Sequence, residues 1–204
     1  MGCSKSRESV QIRIEEEYSN LNLPPVDEKR FGNSFEKEVY MAVCVFRADP
    51  AALERFIPSI SKHPKYKGHC LQGVRRRFRA LSPLPAIALR EDASEVCLRK
   101  ATDSEELDCS KMKGGGMLKA LQKRLGKGVV VDATEHTEYS WQGNGFEYVM
   151  IKLTENCGGA KKDGYCHPLY DPAVKEFGIC FRPHKKLLSI LQILWIRDVK
   201  TALV

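Results

Sequence analysis

The sequence predicts an α+β fold: a single domain built on a mostly antiparallel sheet with two helices on one face, preceded by a flexible acylated tether. Three observations predict it. A chain of 204 residues with 43% hydrophobic and 29% charged side chains has the length and composition to bury a real core. Short apolar runs rich in Val and aromatics alternate with stretches whose apolar residues recur at helical spacing. The first 35 residues show neither pattern, and carry a Pro24-Pro25 pair among clustered acids.

Taken in order, the nine-residue run Glu38–Phe46 (EVYMAVCVF) predicts a buried strand. Asp49-Pro50 then opens a short helix over Ala51–Ile60, with Leu53, Phe56, Ile57 and Ile60 on one face. Cys70–Phe78 predicts a second strand, and alternation there would project Arg75, Arg77 and Arg79 together. Pro83 and Pro85 break the chain after this strand, Ala86–Arg90 suits an edge segment, and Glu95–Lys100 predicts another short strand. Met117, Leu118, Leu121 and Leu125 share one face of a helix that Gly126 and Gly128 end. Val129–Ala133 and Phe146–Leu153 predict a closing pair of strands joined through Trp141–Gly145. The domain so defined runs from residue 36 to 155. Residues 156–204 read as an irregular segment rich in Cys, His, Gly and Pro, then a C-terminal apolar element for which helix and strand both stay open.

The net charge of +7 favours anionic partners, and it is unevenly placed. Residues 1–38 hold six basic and eight acidic side chains, so the excess belongs to the rest of the chain. Between Arg55 and Arg90 there are nine basic residues and no acid, and Lys111–Lys127 is a second acid-free stretch. Nucleic acid is not expected as the partner, because no zinc-finger spacing, helix-turn-helix pattern or RNA-recognition signature accompanies these charges. Eight cysteines follow no secretory leader, so reduced thiols are expected. The run Leu187–Ile196 is about half the roughly 20 residues of a membrane-spanning helix.

The chain opens Met1-Gly2-Cys3-Ser4-Lys5-Ser6, the pattern for removal of Met1, myristoylation of Gly2 and palmitoylation of the adjacent Cys3. One myristoyl chain gives an association constant of only about 10⁴ M⁻¹, so stable residence needs a second chain or a basic patch. Cys3 supplies the first; Lys5 and Arg7, with Arg75, Arg77 and Arg79, are candidates for the second, facing anionic membrane lipids. Tyr18 follows Glu15-Glu16-Glu17 and precedes Ser19-Asn20. That context suits an acidophilic tyrosine kinase and, once phosphorylated, a signalling protein with a Src-homology-2 domain. The alternative is an ordinary exposed tyrosine.

At Tyr18-Ser19, Leu21, Pro24 or Pro25, Val26-Asp27 and Lys29, following the Met1-Gly2-Cys3 start, the sequence resembles the raftlin family. The resemblance covers about a dozen positions and the order of elements around Glu38–Phe46 and Met117–Ala133. It implies an acylated protein on the cytoplasmic face of the plasma membrane, at cholesterol-rich domains (lipid rafts), where it supports immune-receptor signalling. It implies Gly2 and Cys3 as the acylated residues, and no catalytic residue. The chain is much shorter than members of that family, which leaves roles of their second domain and long linker without a counterpart.

Against this adaptor reading stand two alternatives, a membrane-tethered enzyme with a Cys and His site in residues 157–184 and a basic nucleic-acid-binding module. Cys157, Cys166, His167, Cys180 and His184 are thiolate and imidazole donors, yet no CxxC pair occurs and their spacing fits no compact zinc site, so scattered thiols are the simpler reading. A Cys with His136 or His167 would make a nucleophile and base only if the fold brought them together. Gly126-Lys127-Gly128 lacks the Ser or Thr and the upstream Gly of a phosphate-binding loop. No catalytic residue, metal or cofactor is therefore expected.

Overall fold

A computed structural model describes residues 14–66, 71–107, 115–127, 129–155 and 167–201. It is α+β, as expected. Among the described residues the α-helices of nine residues or more are α1 (Ser34–Ala48), α2 (Leu71–Ala80), α3 (Glu91–Ser104), α4 (Met117–Leu125) and α5 (Gly145–Glu155). The strands are β1 (Ala88–Leu89), β2 (Val129–Tyr139), β3 (Glu176–His184) and β4 (Leu188–Thr201). Contacts group the chain into two compact units. One takes residues up to Ala86 with Gly143–Asp171, and the other takes Ile87–Gln142 with the residues from Pro172 onward.

The first unit is helical, and both of its principal helices start with a similar device. Asn33 Oδ1 accepts the Glu36 N–H at 3.1 Å while the Glu36 carboxylate accepts the Gly32 N–H at 2.8 Å. Asn144 Oδ1 accepts the Glu147 N–H at 2.7 Å, and the Glu147 carboxylate accepts the Asn144 N–H at 3.0 Å. The cap of α5 is reciprocal, and that of α1 differs only in that its carboxylate reaches the N–H one residue before Asn33. The segments 38–46 and 146–153, expected as strands, are therefore helical. An apolar run of this length cannot by itself distinguish a strand from a helix buried all round. The caps that precede both runs, Asn-Ser-Phe-Glu and Asn-Gly-Phe-Glu, decide the matter.

The two helices meet closely at Gly145. A Cβ there would lie 2.1 Å from the Phe35 carbonyl oxygen and 2.8 Å from the Val39 nitrogen. Glu38, buried in α1, accepts the Gly145 N–H at 2.8 Å and also that of Phe146, which places a carboxylate at the positive end of α5. Burial still pushes the Glu38 carboxyl above its ordinary value. Phe56 meets Phe146 edge to face, and Phe46 meets Tyr170 in the same way, with ring centroids 4.9 and 5.2 Å apart. Helical structure between α1 and α2 is as expected for residues 51–60: Asp49 caps a 3₁₀ segment, Pro50–Phe56, that runs into one turn of α-helix, Ile57–Ile60. Buried Arg47 donates to the carbonyls of Pro85 (2.7 Å) and Asp171 (3.2 Å), tying both connections to the end of α1.

The described part of the expected tether is also built into this unit. Residues 14–20 are helical, with Ile14 and Tyr18 buried. Asn22, at φ 51°, turns the chain out of that helix in the left-handed conformation. The spacing Ile14, Tyr18, Leu21 carries this helix, although the acids around it hide the pattern.

The second unit holds a four-stranded sheet in the order β1-β3-β4-β2, with β1 parallel to β3 and the other pairs antiparallel. Its long β3–β4 hairpin comes from the segment expected to be irregular and from the C-terminal element left open. Residues 95–100, expected as a strand, lie in α3; Ala86–Arg90 does contain the edge strand β1, Val129–Ala133 opens β2, and Met117–Leu125 is the helix α4 that Gly126 ends. α3 and α4 bury Val96, Cys97, Met117 and Leu121 in a cluster with Cys180, Leu194 and Ile196. α3 passes so near β3 that a Cβ on Gly178 would lie 2.3 Å from the Ala93 carbonyl carbon. Glu135 of β2 accepts the N–H groups of Gly116 and Leu118, at 3.1 and 2.9 Å, and so caps α4. A bulge opposite Asp132 and Ala133 sets Arg197 outside the β2–β4 register, where its guanidinium meets Asp132 and Thr134.

Gly145→Ala is expected to destabilise the protein by about 1–3 kcal/mol through overpacking, lowering the thermal midpoint by roughly 2–4 °C for each kcal/mol in a chain of this size. Thermal unfolding followed by circular dichroism reads this. An unchanged midpoint would mean that α1 and α5 do not approach at that residue.

Candidate functional site

α2 carries the arginine-rich sequence, and its helical geometry separates side chains that a strand would have aligned. Arg75 and Arg79 stand four residues apart and both reach Glu54. Arg79 grips the Glu54 carboxylate with two nitrogens at 2.5 and 2.6 Å, and Arg75 lies at 3.6 Å. The Arg79 bond holds the Glu54 carboxyl below its ordinary range. Arg77 points elsewhere, its guanidinium 5.1 Å from the centre of the Tyr170 ring. The expectation that Arg75, Arg77 and Arg79 project together is thus corrected. A period of 3.6 residues replaces a period of two, with Val74 and Phe78 on the buried face. Gly2, Cys3, Lys5 and Arg7 lie outside the described residues.

The richest constellation sits where residues 14–31 lie along α1. Lys37, Tyr40, Met41 and Cys44 recur at i, i+3, i+4 and i+7 and form one face of that helix. Lys37 bridges Glu15 at 2.8 Å and Glu28 at 2.7 Å, and Arg55 pairs with buried Glu17. Tyr18 packs toward Tyr40, with ring centroids 6.5 Å apart, and donates its hydroxyl to the Pro24 carbonyl at 2.8 Å. Phe31 approaches the same Tyr40 ring at 5.5 Å. A shallow groove of about 450 Å³ opens beside this strap, lined by Leu23, Pro25, Val26 and Met41 with Glu15 and Lys37 at its charged side. Tyr18 is thus buried at 4% exposure, whereas its acidic context suggested a solvated tyrosine. The sequence pointed to Tyr18 and counted Arg55 among the basic residues without its partner Glu17, but it did not single out Lys37 or Tyr40. The cap at Asn33 and Glu36 was the available signal, since it makes the next residues helical and places 37, 40 and 44 on one face.

The buried groups of this constellation are shifted toward their neutral forms, whereas the hydrogen bonds of Lys37 to Glu15 and Glu28 shift Lys37 and Glu28 toward their charged forms. Burial pushes the Tyr18 hydroxyl and the Cys44 thiol each up to about 12. Burial also raises the Tyr40 hydroxyl and lowers the Arg47 guanidinium from their ordinary values. A thiol so placed is a poor nucleophile.

Of the Cys and His candidates, the described His167, Cys180 and His184 hold turns and core in place. Cys157 and Cys166 lie outside the described residues. His167 caps the 3₁₀ turn Pro168–Tyr170 through its side chain. Cys180 is buried in the sheet cluster. His184 Nδ1 accepts the N–H groups of Lys186 and Leu187, at 3.1 and 3.0 Å, while its Nε2 meets the Ser104 carbonyl at 2.9 Å. That ring ties the β3–β4 turn to the end of α3. His136 lies 3.7 Å from Glu138. Among the described residues no group of three or more His, Cys, Asp or Glu converges as a metal site, and no helix is long and apolar enough to cross a membrane.

Cys44 is expected to resist iodoacetamide in the native protein. Raising a thiol from about 9 to about 12 cuts its thiolate fraction at pH 8 by about a thousandfold, and reactivity should recover as pH rises. Peptide mass spectrometry of native and guanidinium-unfolded samples checks this; rapid native alkylation of Cys44 at pH 8 would contradict its burial.

No protein-family model matches this chain, and neither a curated protein nor a solved structure does.

Proposed function

We propose that this is a dual-acylated protein of the inner leaflet, raftlin-like, that organises or adapts signalling at ordered membrane domains without chemistry of its own. The observation that carries the reading is the Gly2-Cys3 pair with Ser6, Lys5 and Arg7 in one short leader. Two acyl chains hold a protein where one gives only reversible contact. The net charge of +7 and the two acid-free stretches support it, because each basic group near an anionic surface contributes about 1 kcal/mol. Exposed Arg76 on α2 and exposed Lys119 and Lys123 on α4 are the side chains best placed to add this term in their respective units. Signalling partners at such a surface would include proteins with Src-homology-2 domains.

The anchor is tested by the membrane fraction of the tagged protein in cells, with direct labelling by myristate and palmitate. Gly2→Ala is expected to lose both labels and become soluble, and Cys3→Ser to keep myristate but hold weakly. An unlabelled, soluble wild type overturns the proposal. The charge contribution is tested on the purified chain with anionic vesicles. Glu54→Gln removes the carboxylate that engages Arg75 and Arg79, and should tighten binding several-fold at low salt, with the gain fading as salt screens it. Unchanged binding at low salt would take α2 out of the membrane-facing surface.

A further inference from the structure

We propose that Tyr18 is a phosphorylation site whose modification excludes the docking of residues 14–31 on α1, so that one phosphoryl group converts a docked strap into a released tether. The atom that would carry the phosphate is already committed: the Tyr18 hydroxyl donates to the Pro24 carbonyl at 2.8 Å, from a side chain only 4% exposed. A phosphate ester has no hydroxyl proton to give that carbonyl, and it adds about −1.5 to −2 charge where a proton donor stood.

The charged groups around the strap would not compensate. From its own segment Glu15, Glu17 and Glu28 bring carboxylates. Among the described residues, Lys37 of α1 is shared between Glu15 and Glu28 and Arg55 is paired with Glu17, while the strap's own Lys29 and Arg30 are offset in number by Glu16 and Asp27. With these cations already matched, a dianion would sit against surplus negative charge. Burial pushes the Tyr18 hydroxyl up despite a hydrogen bond with Tyr40 that acts the other way, in keeping with a site that disfavours negative charge.

A kinase cannot close on this ring in the docked state either. Its acidic flank lies in the helix of residues 14–20, with Ser19 Oγ bonded to the Glu15 carbonyl at 2.9 Å. Access therefore requires the strap to open. The strap is a short helix held by Ile14, Tyr18 and a few partly exposed ion pairs, the type of element that opens locally at far less cost than a core helix. In the open state the γ-phosphoryl group of a nucleoside triphosphate passes to Tyr18 Oη. An oxygen–phosphorus bond forms there as the bridging bond to the β-phosphate breaks, the hydroxyl proton goes to the kinase base, and the nucleoside diphosphate departs. Phosphorylated Tyr18 then keeps the strap from closing. Released, residues 14–33 span up to about 65 Å at roughly 3.3 Å per residue. That gain in reach matters on the membrane-anchored reading above, and rests on it; the switch itself is tested without acylation or a membrane.

The experiment uses the purified, non-acylated full chain with a tyrosine kinase that prefers acids before its target, and a synthetic peptide of residues 9–27 as the unfolded reference. Site occupancy is read by peptide mass spectrometry, with Tyr18→Phe to locate the phosphate, and docking by hydrogen exchange across residues 14–22. The peptide should be modified at least tenfold faster than the wild-type chain. Ile14→Asp, or Lys37→Met should the first variant unfold α1, should close that gap. The phosphorylated chain should lose protection at 14–22 while α1 and α5 keep theirs. A peptide that is not a substrate, a wild-type chain modified at the peptide's rate, an opened variant that stays slow, or a phosphorylated chain that keeps its strap protection each overturns the switch.

Discussion

Glu38 lies beneath the first turn of α5, buried, with its carboxylate accepting the N–H groups of Gly145 and Phe146. A carboxylate removed from water is costly unless strong donors meet it, and the positive end of a helix provides them. The arrangement works only because Gly145 has no Cβ to strike Phe35 and Val39. Through it α1 and α5 are held in contact, and the aromatic pairs Phe35–Tyr148 and Phe56–Phe146 depend on that approach. The helical unit is organised around this one crossing.

The crossing uses one side of α1 and leaves the side bearing Lys37, Tyr40, Met41 and Cys44 for another partner. Residues 14–31 take that place. Their hold combines apolar burial by Ile14 and Tyr18 with ion pairs from Glu15, Glu17 and Glu28. Partly exposed ion pairs contribute little each, so most of the hold rests on a few buried side chains. Residues 14–31 are thus ordered yet held by few buried side chains, which is the physical basis for the proposed release of this strap.

The arginines of α2 show how a change of period alters a functional argument. On a strand, Arg75, Arg77 and Arg79 would form one basic edge. On the helix, two of them converge on Glu54 and the third covers Tyr170, so much of that charge serves the fold. A basic run in sequence overstates the charge offered to a partner, because acids distant along the chain claim part of it. Glu54 lies 25 residues before Arg79.

By itself the sequence determined the α+β class, the helical stretches at 51–60 and 117–125, the opening of β2, the edge segment at 86–90 and the N-terminal motif that carries the functional proposal. Each of these is local: a motif, a cap, a glycine stop, or an apolar stripe with a clear period. The runs at 38–46 and 146–153 were legible only in part, since an element buried all round shows no periodic face; the Asn-x-Phe-Glu caps ahead of them held the missing signal. Helix or strand at 70–78 and 95–100, the hairpin of β3 and β4, the burial of Tyr18 and the division of the arginines were decided by tertiary structure. They depend on partners far along the chain, such as Tyr40 for Tyr18, Glu54 for Arg79, and β2 for β4, and no local pattern records which distant group will arrive.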